Sequence, residues 1–212
     1  MSTSDSILLE SPSDDTVVWL GLAQRGDMHS FGLLCQALEE RLRRQAMLLG
    51  ADRSLAEDLA QESFVEAWKC LARFNGRCQF FTWLCAILHH RYRNFSRRKR
   101  LLSFWSFTGG AREEPLDAAE QQPDPRTLPD EAAQLRDEAA VIRQCVGALP
   151  RKQEQVIYLR FFVDDSLEGI AAALGCSVGT VKSRLFHALE KLRRMPALRE
   201  QRGDSGSNLE IL

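Results

Sequence analysis

Between Ser103 and Leu135 no helical or strand period survives, and four of the chain's seven prolines (Pro115, Pro123, Pro125 and Pro129) fall there among acids and small residues. Proline removes a backbone donor and clashes with the preceding turn, so no packed element is expected to cross such a stretch. The chain should therefore divide. A helical domain over 15–102 and a smaller one over 135–202 would flank a flexible acidic linker at 103–134, with an acidic tail over 1–14 and a disordered tail over 203–212. Each half has the size of a small helical bundle. With 44% hydrophobic and 27% charged residues, there is apolar surface enough for real cores.

Outside the linker the pattern is helical, and strand alternation is hard to find, so the fold class is all-α. A first helix fits Asp15 to Arg25 and a second fits His29 to Leu49, with Phe31, Leu34, Leu38, Leu42 and Ala46 on one stripe. Ser54-Leu-Ala-Glu57 has capping-box spacing and opens a third helix that runs to Phe74. The segment Asn75 to Gln79 breaks it, and Phe80-Phe81-Thr82-Trp83-Leu84 opens a fourth. Past the linker, one helix ends at Pro150 and another covers Lys152 to Phe162. Asp165-Ser-Leu-Glu168 then caps a short helix carrying Ile170, Ala171 and Leu174, Gly175-Cys176 turns the chain, and Ser177 caps a longer helix with Val181, Leu185, Ala188 and Leu192 inward. That is a helix-turn-helix. Its second helix leaves Thr180, Lys182, Ser183, Arg184, Phe186 and His187 available, and such first turns enter a major groove.

A formal net charge of -1 hides strong segregation. From His89 to Arg100 the chain has Arg91, Arg93, Arg97, Arg98, Lys99 and Arg100 and no acid, a local charge of +6. From Arg112 to Glu138 nine acids face three bases, and from Lys182 to Arg202 seven bases face Glu190 and Glu200. Basic patches beside helical motifs suit a polyanion, since cations displace counterions from phosphates. No window reaches the roughly eighteen apolar residues of a membrane span, and the N-terminus is acidic, unlike a secretory signal. A cytoplasmic protein without direct membrane insertion is expected. Cys35, Cys70, Cys78, Cys85, Cys145 and Cys176 form no C-x-x-C pair and read as reduced thiols, with no metal site and no cofactor. No Walker loop, G-x-S-x-G or H-E-x-x-H occurs, so an enzyme is not indicated.

The run Ala56-Glu57-Asp58-Leu59-Ala60-Gln61-Glu62-Ser63-Phe64-Val65-Glu66-Ala67-Trp68, followed by Phe74-Asn75-Gly76 and Phe80-Phe81-Thr82-Trp83-Leu84, resembles region 2 of bacterial RNA polymerase sigma factors. Leu149-Pro150 and Gly179-Thr180-Val181-Lys182-Ser183-Arg184-Leu185 resemble region 4 of the same family. With these two regions alone, the chain is similar to the extracytoplasmic-function (ECF) group. The resemblance implies that Asp58, Gln61, Glu62, Phe64, Val65 and Trp68 dock on the clamp helices of the largest polymerase subunit, with the flap as a second core contact. It implies that Asn75, Gln79, Phe80, Trp83, His90, Arg91, Asn94, Arg97 and Arg98 read and hold the -10 element of promoter DNA, where a flipped base needs stacking surface and cations. It assigns the -35 element to Thr180, Lys182, Ser183, Arg184, Phe186 and His187, and an anti-sigma factor as a regulatory partner. Trp83 reads equally well as a core residue.

The chain also departs from the family pattern. His89-His90 and Asn94 stand where Arg-Asn and Asp are frequent, Cys78 replaces a usual Ser, Glu154 a common Arg and Gly169 a common Glu. The two histidines make a pH-responsive promoter affinity a hypothesis. Two other readings stay open on sequence: an operator-binding helix-turn-helix regulator, and a helical interaction protein that never touches DNA. Under the sigma reading, two weakly binding domains gain specificity when polymerase fixes their separation, so the free protein should bind promoter DNA poorly.

Overall fold

Capping side chains, Asp27, Asp52, Ser166 and Ser177, open four of the described helices. A computed structural model describes the backbone of residues 14–108 and 129–198, with side chains within 15–99 and 138–198. The expected tails and linker fall largely at 1–13, 109–128 and 199–212, outside the described residues. The N-terminal bundle holds α1 (Asp14–Gln24), α2 (Met28–Leu48), α3 (Arg53–Cys70), a single 3-10 turn (Leu71–Arg73) and α4 (Phe80–Thr108). The C-terminal bundle holds α5 (Pro129–Gly147), α6 (Arg151–Phe161), α7 (Leu167–Leu174) and α8 (Val178–Arg194). No strand occurs among the described residues. Helix α4 continues beyond residue 102, and α5 starts at Pro129, ahead of Leu135, because proline is tolerated in a first helical turn.

Two caps differ from the sequence expectation. Helix α3 is capped by Asp52, whose carboxylate accepts from Leu55 N at 2.8 Å, so Ser54 and Glu57 do not form the capping box and Glu57 instead pairs with Arg53 at 3.4 Å. An ionised carboxylate next to the helix dipole outcompetes a hydroxyl two residues on. At α7 the cap is Ser166, accepting from Gly169 N at 2.9 Å, while Asp165 turns away from that duty. Ser177 caps α8 as its spacing predicts, accepting from Thr180 N at 3.1 Å.

The stripe on α2 buries Phe31, Leu34, Leu42 and Ala46 as its period predicts, with Leu38 partly covered. These pack on Leu59, Ala60, Phe64 and Ala67 of α3 and on Phe81, Leu84, Cys85 and Leu88 of α4. Arg41 lies 3.8 Å over the Phe81 ring, a cation-π contact that seals one edge. In the C-terminal bundle, Val181, Ala188 and Leu192 of α8 pack on α6 and α7. The two bundles are not merely tethered. Val156, Tyr158, Leu159, Ile170 and Ala171 join the same buried cluster as the α4 side chains, because α6 and α7 pack directly against α4.

Candidate nucleic-acid interface

The turn between α7 and α8 is fixed by local chemistry. Gly175 adopts φ 61° at the end of α7, where any side chain would be strained, and Cys176 N donates to Ala171 O at 3.0 Å. Ser177 Oγ holds Thr180 both by its amide and by its hydroxyl, 2.9 Å away. The burial of Val181 and Ala188 then aims the opposite face outward. Lys182, Ser183, Phe186 and His187 are exposed there, and Thr180 and Arg184 are half-buried at its edge. Phe186 is 61% exposed and meets His187 edge to face at 5.5 Å, an apolar and polar pair without a core of its own. Arg184 leans back toward Cys176 Sγ at 3.8 Å, which orients its guanidinium along the helix start. Glu190 gathers Arg193 and Arg194 at 3.3 Å each in the last turn. All six residues expected to meet the -35 element therefore sit on one helix.

The residues expected at -10 divide into two sets. Asn75 and Gln79 are exposed on the loop before α4, where Gly76 takes φ 70° and Asn75 Oδ1 accepts from Arg77 N at 3.1 Å. His90, Arg97 and Arg98 are exposed on α4, and Asn94 is half-buried with its Nδ2 3.4 Å from His90 Nδ1. Phe80 is buried, edge-on to Phe74 at 5.5 Å and against Trp83 at 5.7 Å. It anchors the loop. Trp83 is half-buried and packs on Phe74 at 5.2 Å, so it belongs to the margin of the core. Arg91 does not project freely: Nη2 is 2.5 Å from Glu66 Oε2 and Nη1 is 3.8 Å from Glu62.

The face expected to meet polymerase also divides. Asp58, Gln61, Glu62 and Val65 are exposed along α3, with Val65 at 54% an apolar spot in an acidic frame. Phe64 is buried and Trp68 half-buried, its ring 4.9 Å from Phe31, so these two brace the helix from behind. Burial pushes the Cys85 thiol up to about 12 and the Cys35 and Cys78 thiols up to about 11. Thiols held so high are protonated at neutral pH and are poor nucleophiles. All six cysteines are free.

One set of residues escaped the sequence reading. Thr82, Cys85, His89 and Arg93 share one face of α4 and meet Asp165, Tyr158 and Glu154 of the C-terminal bundle. Their spacing of three or four residues was legible as a helix stripe, but nothing in it says which partner covers them.

Comparison with known proteins places both bundles in known families. Residues 34–101 match the model for sigma-70 region 2, and residues 139–192 match that for sigma-70 region 4. The chain is 32% identical over 188 residues to the RNA polymerase sigma-H factor of Pseudomonas aeruginosa, spanning 84% of this chain and 92% of that one. It is 28% identical over 171 residues to the ECF sigma factor SigW of Bacillus subtilis, covering 81% and 91% of the two chains. Its fold is like that of CnrH, solved in complex with the cytosolic domain of CnrY, with a TM-score of 0.57 at 24% identity over 91% of this chain and all of that one. Among the described residues no helix is long and apolar enough to cross a membrane. With both conserved regions matched in order and a relative aligned across nearly its whole length, the chain belongs to the sigma-70 family of RNA polymerase sigma factors, in its extracytoplasmic-function group.

Proposed function

We propose that this alternative sigma factor, which binds core RNA polymerase and directs promoter-specific initiation, divides that task among three helices. Helix α8 reads the -35 element through Lys182, Ser183 and Arg184, with Thr180, Phe186 and His187 at its margins. The loop at Asn75 to Gln79 and helix α4, through His90, Asn94, Arg97 and Arg98, hold the melted -10 strand. The exposed face Asp58, Gln61, Glu62 and Val65 docks on the clamp helices, and Phe64 and Trp68 keep that face straight. The observation that carries this reading is the outward face of α8: three polar or basic side chains in its first two turns, on a helix whose start is pinned by Ser177 and Gly175. Lys182 and Arg184 suit phosphates or guanine edges, and Ser183 suits either class of base.

The factor catalyses no reaction of its own, and it works in the cytoplasm with the polymerase. An anti-sigma factor is the regulatory partner we assign, in keeping with a structural relative solved with a second protein bound. The test is reconstituted transcription with bacterial core polymerase on a genomic fragment library. Starts that need the protein and share two spaced upstream elements support the reading. If core activity is unchanged while the protein alone shifts a discrete DNA site, the operator-binding reading replaces it.

A further inference from the structure

We infer that the cavity walled by the end of α2, the middle of α4, α5 and α6 is a binding site for a small apolar carboxylate, held by Arg143. The inference does not rest on the promoter assignments.

The cavity has a volume of about 230 Å³. A cavity of about 150 Å³ takes benzene, and drug-sized ligands occupy about 300–1,000 Å³, so one ring or a short branched chain is the size that fits. Leu48, Leu49, Val146 and Phe162 form its apolar walls, and Tyr92 and Tyr158 add aromatic rings. Leu48 lines the cavity and is 41% exposed, so a solute reaches these walls from solvent without unfolding the chain.

The charges on the walls do not cancel. Arg93, Arg143 and Glu154 line the cavity, two cations to one anion. Arg93 is already committed: its Nε is 3.0 Å from Glu154 Oε2, and Nη1 donates to Gly147 O at 3.4 Å. Arg143 is half-buried, and no carboxylate lies within ion-pair distance of it among the described residues. A guanidinium that has lost part of its hydration gains most from a carboxylate, whose two oxygens match its fork. A neutral or cationic solute would leave that charge uncompensated.

A second polar wall supplies hydroxyls. Tyr92 and Ser96, one turn apart on α4, line the cavity side by side. Burial holds the Tyr92 hydroxyl above its ordinary range, so it keeps its proton and can donate to a carboxylate oxygen. Its seat depends on Gly50, which turns the chain after α2 at φ 101° and whose Cβ, if it had one, would lie 3.1 Å from the Tyr92 oxygen. Apolar walls, an unpaired guanidinium and hydroxyl donors around one small space suit an aromatic or branched-chain carboxylate. An apolar solute without the charge would gain only the walls. Phosphate or sulfate would gain only the polar groups, and its extra charge would be opposed by Glu154.

The test is isothermal titration calorimetry and thermal melting of the full chain with probes of similar shape: phenylacetate, its neutral amide phenylacetamide, and cationic phenethylamine. Phenylacetate should bind with a Kd between about 10 µM and 1 mM, and at about ten times Kd should raise the melting midpoint by about 3–5 °C. The amide and the amine should bind at least about tenfold more weakly. Arg143→Gln should cost phenylacetate about tenfold or more and leave phenylacetamide unchanged, and Tyr92→Phe should cost about threefold to tenfold. Lys69→Gln, at an exposed cation away from the cavity, should leave binding as it is. Val146→Phe should fill the space and abolish binding; if its helical circular dichroism falls, Arg143→Gln decides alone. The inference fails if phenylacetate at about ten times the upper Kd neither binds nor moves the midpoint, if the amide binds as tightly as the carboxylate, or if Arg143→Gln binds phenylacetate as the parent does.

Discussion

Arg91 of α4 spans to Glu66 of α3, Nη2 to Oε2 at 2.5 Å, and so joins the helix assigned to -10 DNA to the helix assigned to polymerase. Both side chains are about one-third exposed or more, at 32% and 40%, so the pair is solvent-screened and worth less than about 1 kcal/mol. Its effect on position is larger than its effect on stability. Glu66→Gln should change the urea midpoint little, and should free Arg91 to swing toward single-stranded DNA. Fluorescence anisotropy with a -10 strand bound to holoenzyme should then show a few-fold gain in affinity; an unchanged affinity would mean that Arg91 acts only within the protein.

Lys182 and Arg184 differ in what surrounds them, and so their substitutions should differ. Lys182 is exposed and suits a phosphate. Lys182→Ala should weaken holoenzyme binding about equally on all promoters and reduce the slope of log affinity against log salt by about 1. Arg184 is half-buried and braced near Cys176, which limits the directions its guanidinium can take. Arg184→Ala should cost about 1–3 kcal/mol on the preferred -35 sequence and much less on altered ones. Reversing both charges with no change in transcription would favour a protein that never reads DNA.

Apart from the α7 cap, the sequence made the helix-turn-helix legible because its signals are local. Ser177, Gly175 and the Val181, Ala188, Leu192 stripe act within one or two turns, and the structure keeps all of them. Competing local signals were less decisive, as at Asp52 against Ser54, where two good cap residues stand two apart. Side-chain roles on amphipathic helices were only partly legible. The α3 string reads as one motif, yet Phe64 faces the core while Asp58 and Glu62 face out, a division set by α2 and α4 rather than by α3. The bundle contact was invisible for the same reason. His89 belongs to a basic run that reads as solvated, and only the placement of α6 shows it stacked on Tyr158.

Gly169 makes a sharp test of how tightly α7 is seated. A methyl group there would overlap the Asp165 carboxylate, which is itself held by Thr82 and by Ser166 N at 2.6 Å. A free aspartate tip would swing aside at little cost, but this one is buried and bonded. Gly169→Ala should therefore destabilise the fold by about 1–3 kcal/mol in spite of its better helix propensity. In an exposed helix interior the same change would stabilise, so the sign of the shift in the urea midpoint decides the matter.

His90 gives the pH dependence a definite sign. Burial, with the Arg151 and Arg91 charges next to it, holds its imidazole below the ordinary histidine range. The unfolded chain thus takes the proton more readily than the folded one. The contribution of His90 to stability is complete above the unfolded value near about 6.5 and is lost as pH falls through the lower folded value. Urea midpoints compared at pH 7.5 and pH 5.5 should therefore fall further for the parent than for His90→Gln. Promoter binding should move the other way, because phosphates beside α4 favour the charged ring and offset what Arg151 and Arg91 oppose. Holoenzyme affinity at fixed salt should rise on acidification in the parent and stay flat in His90→Gln. Equal slopes for the two proteins in both measurements would remove His90 from the -10 face and leave it an ordinary exposed residue.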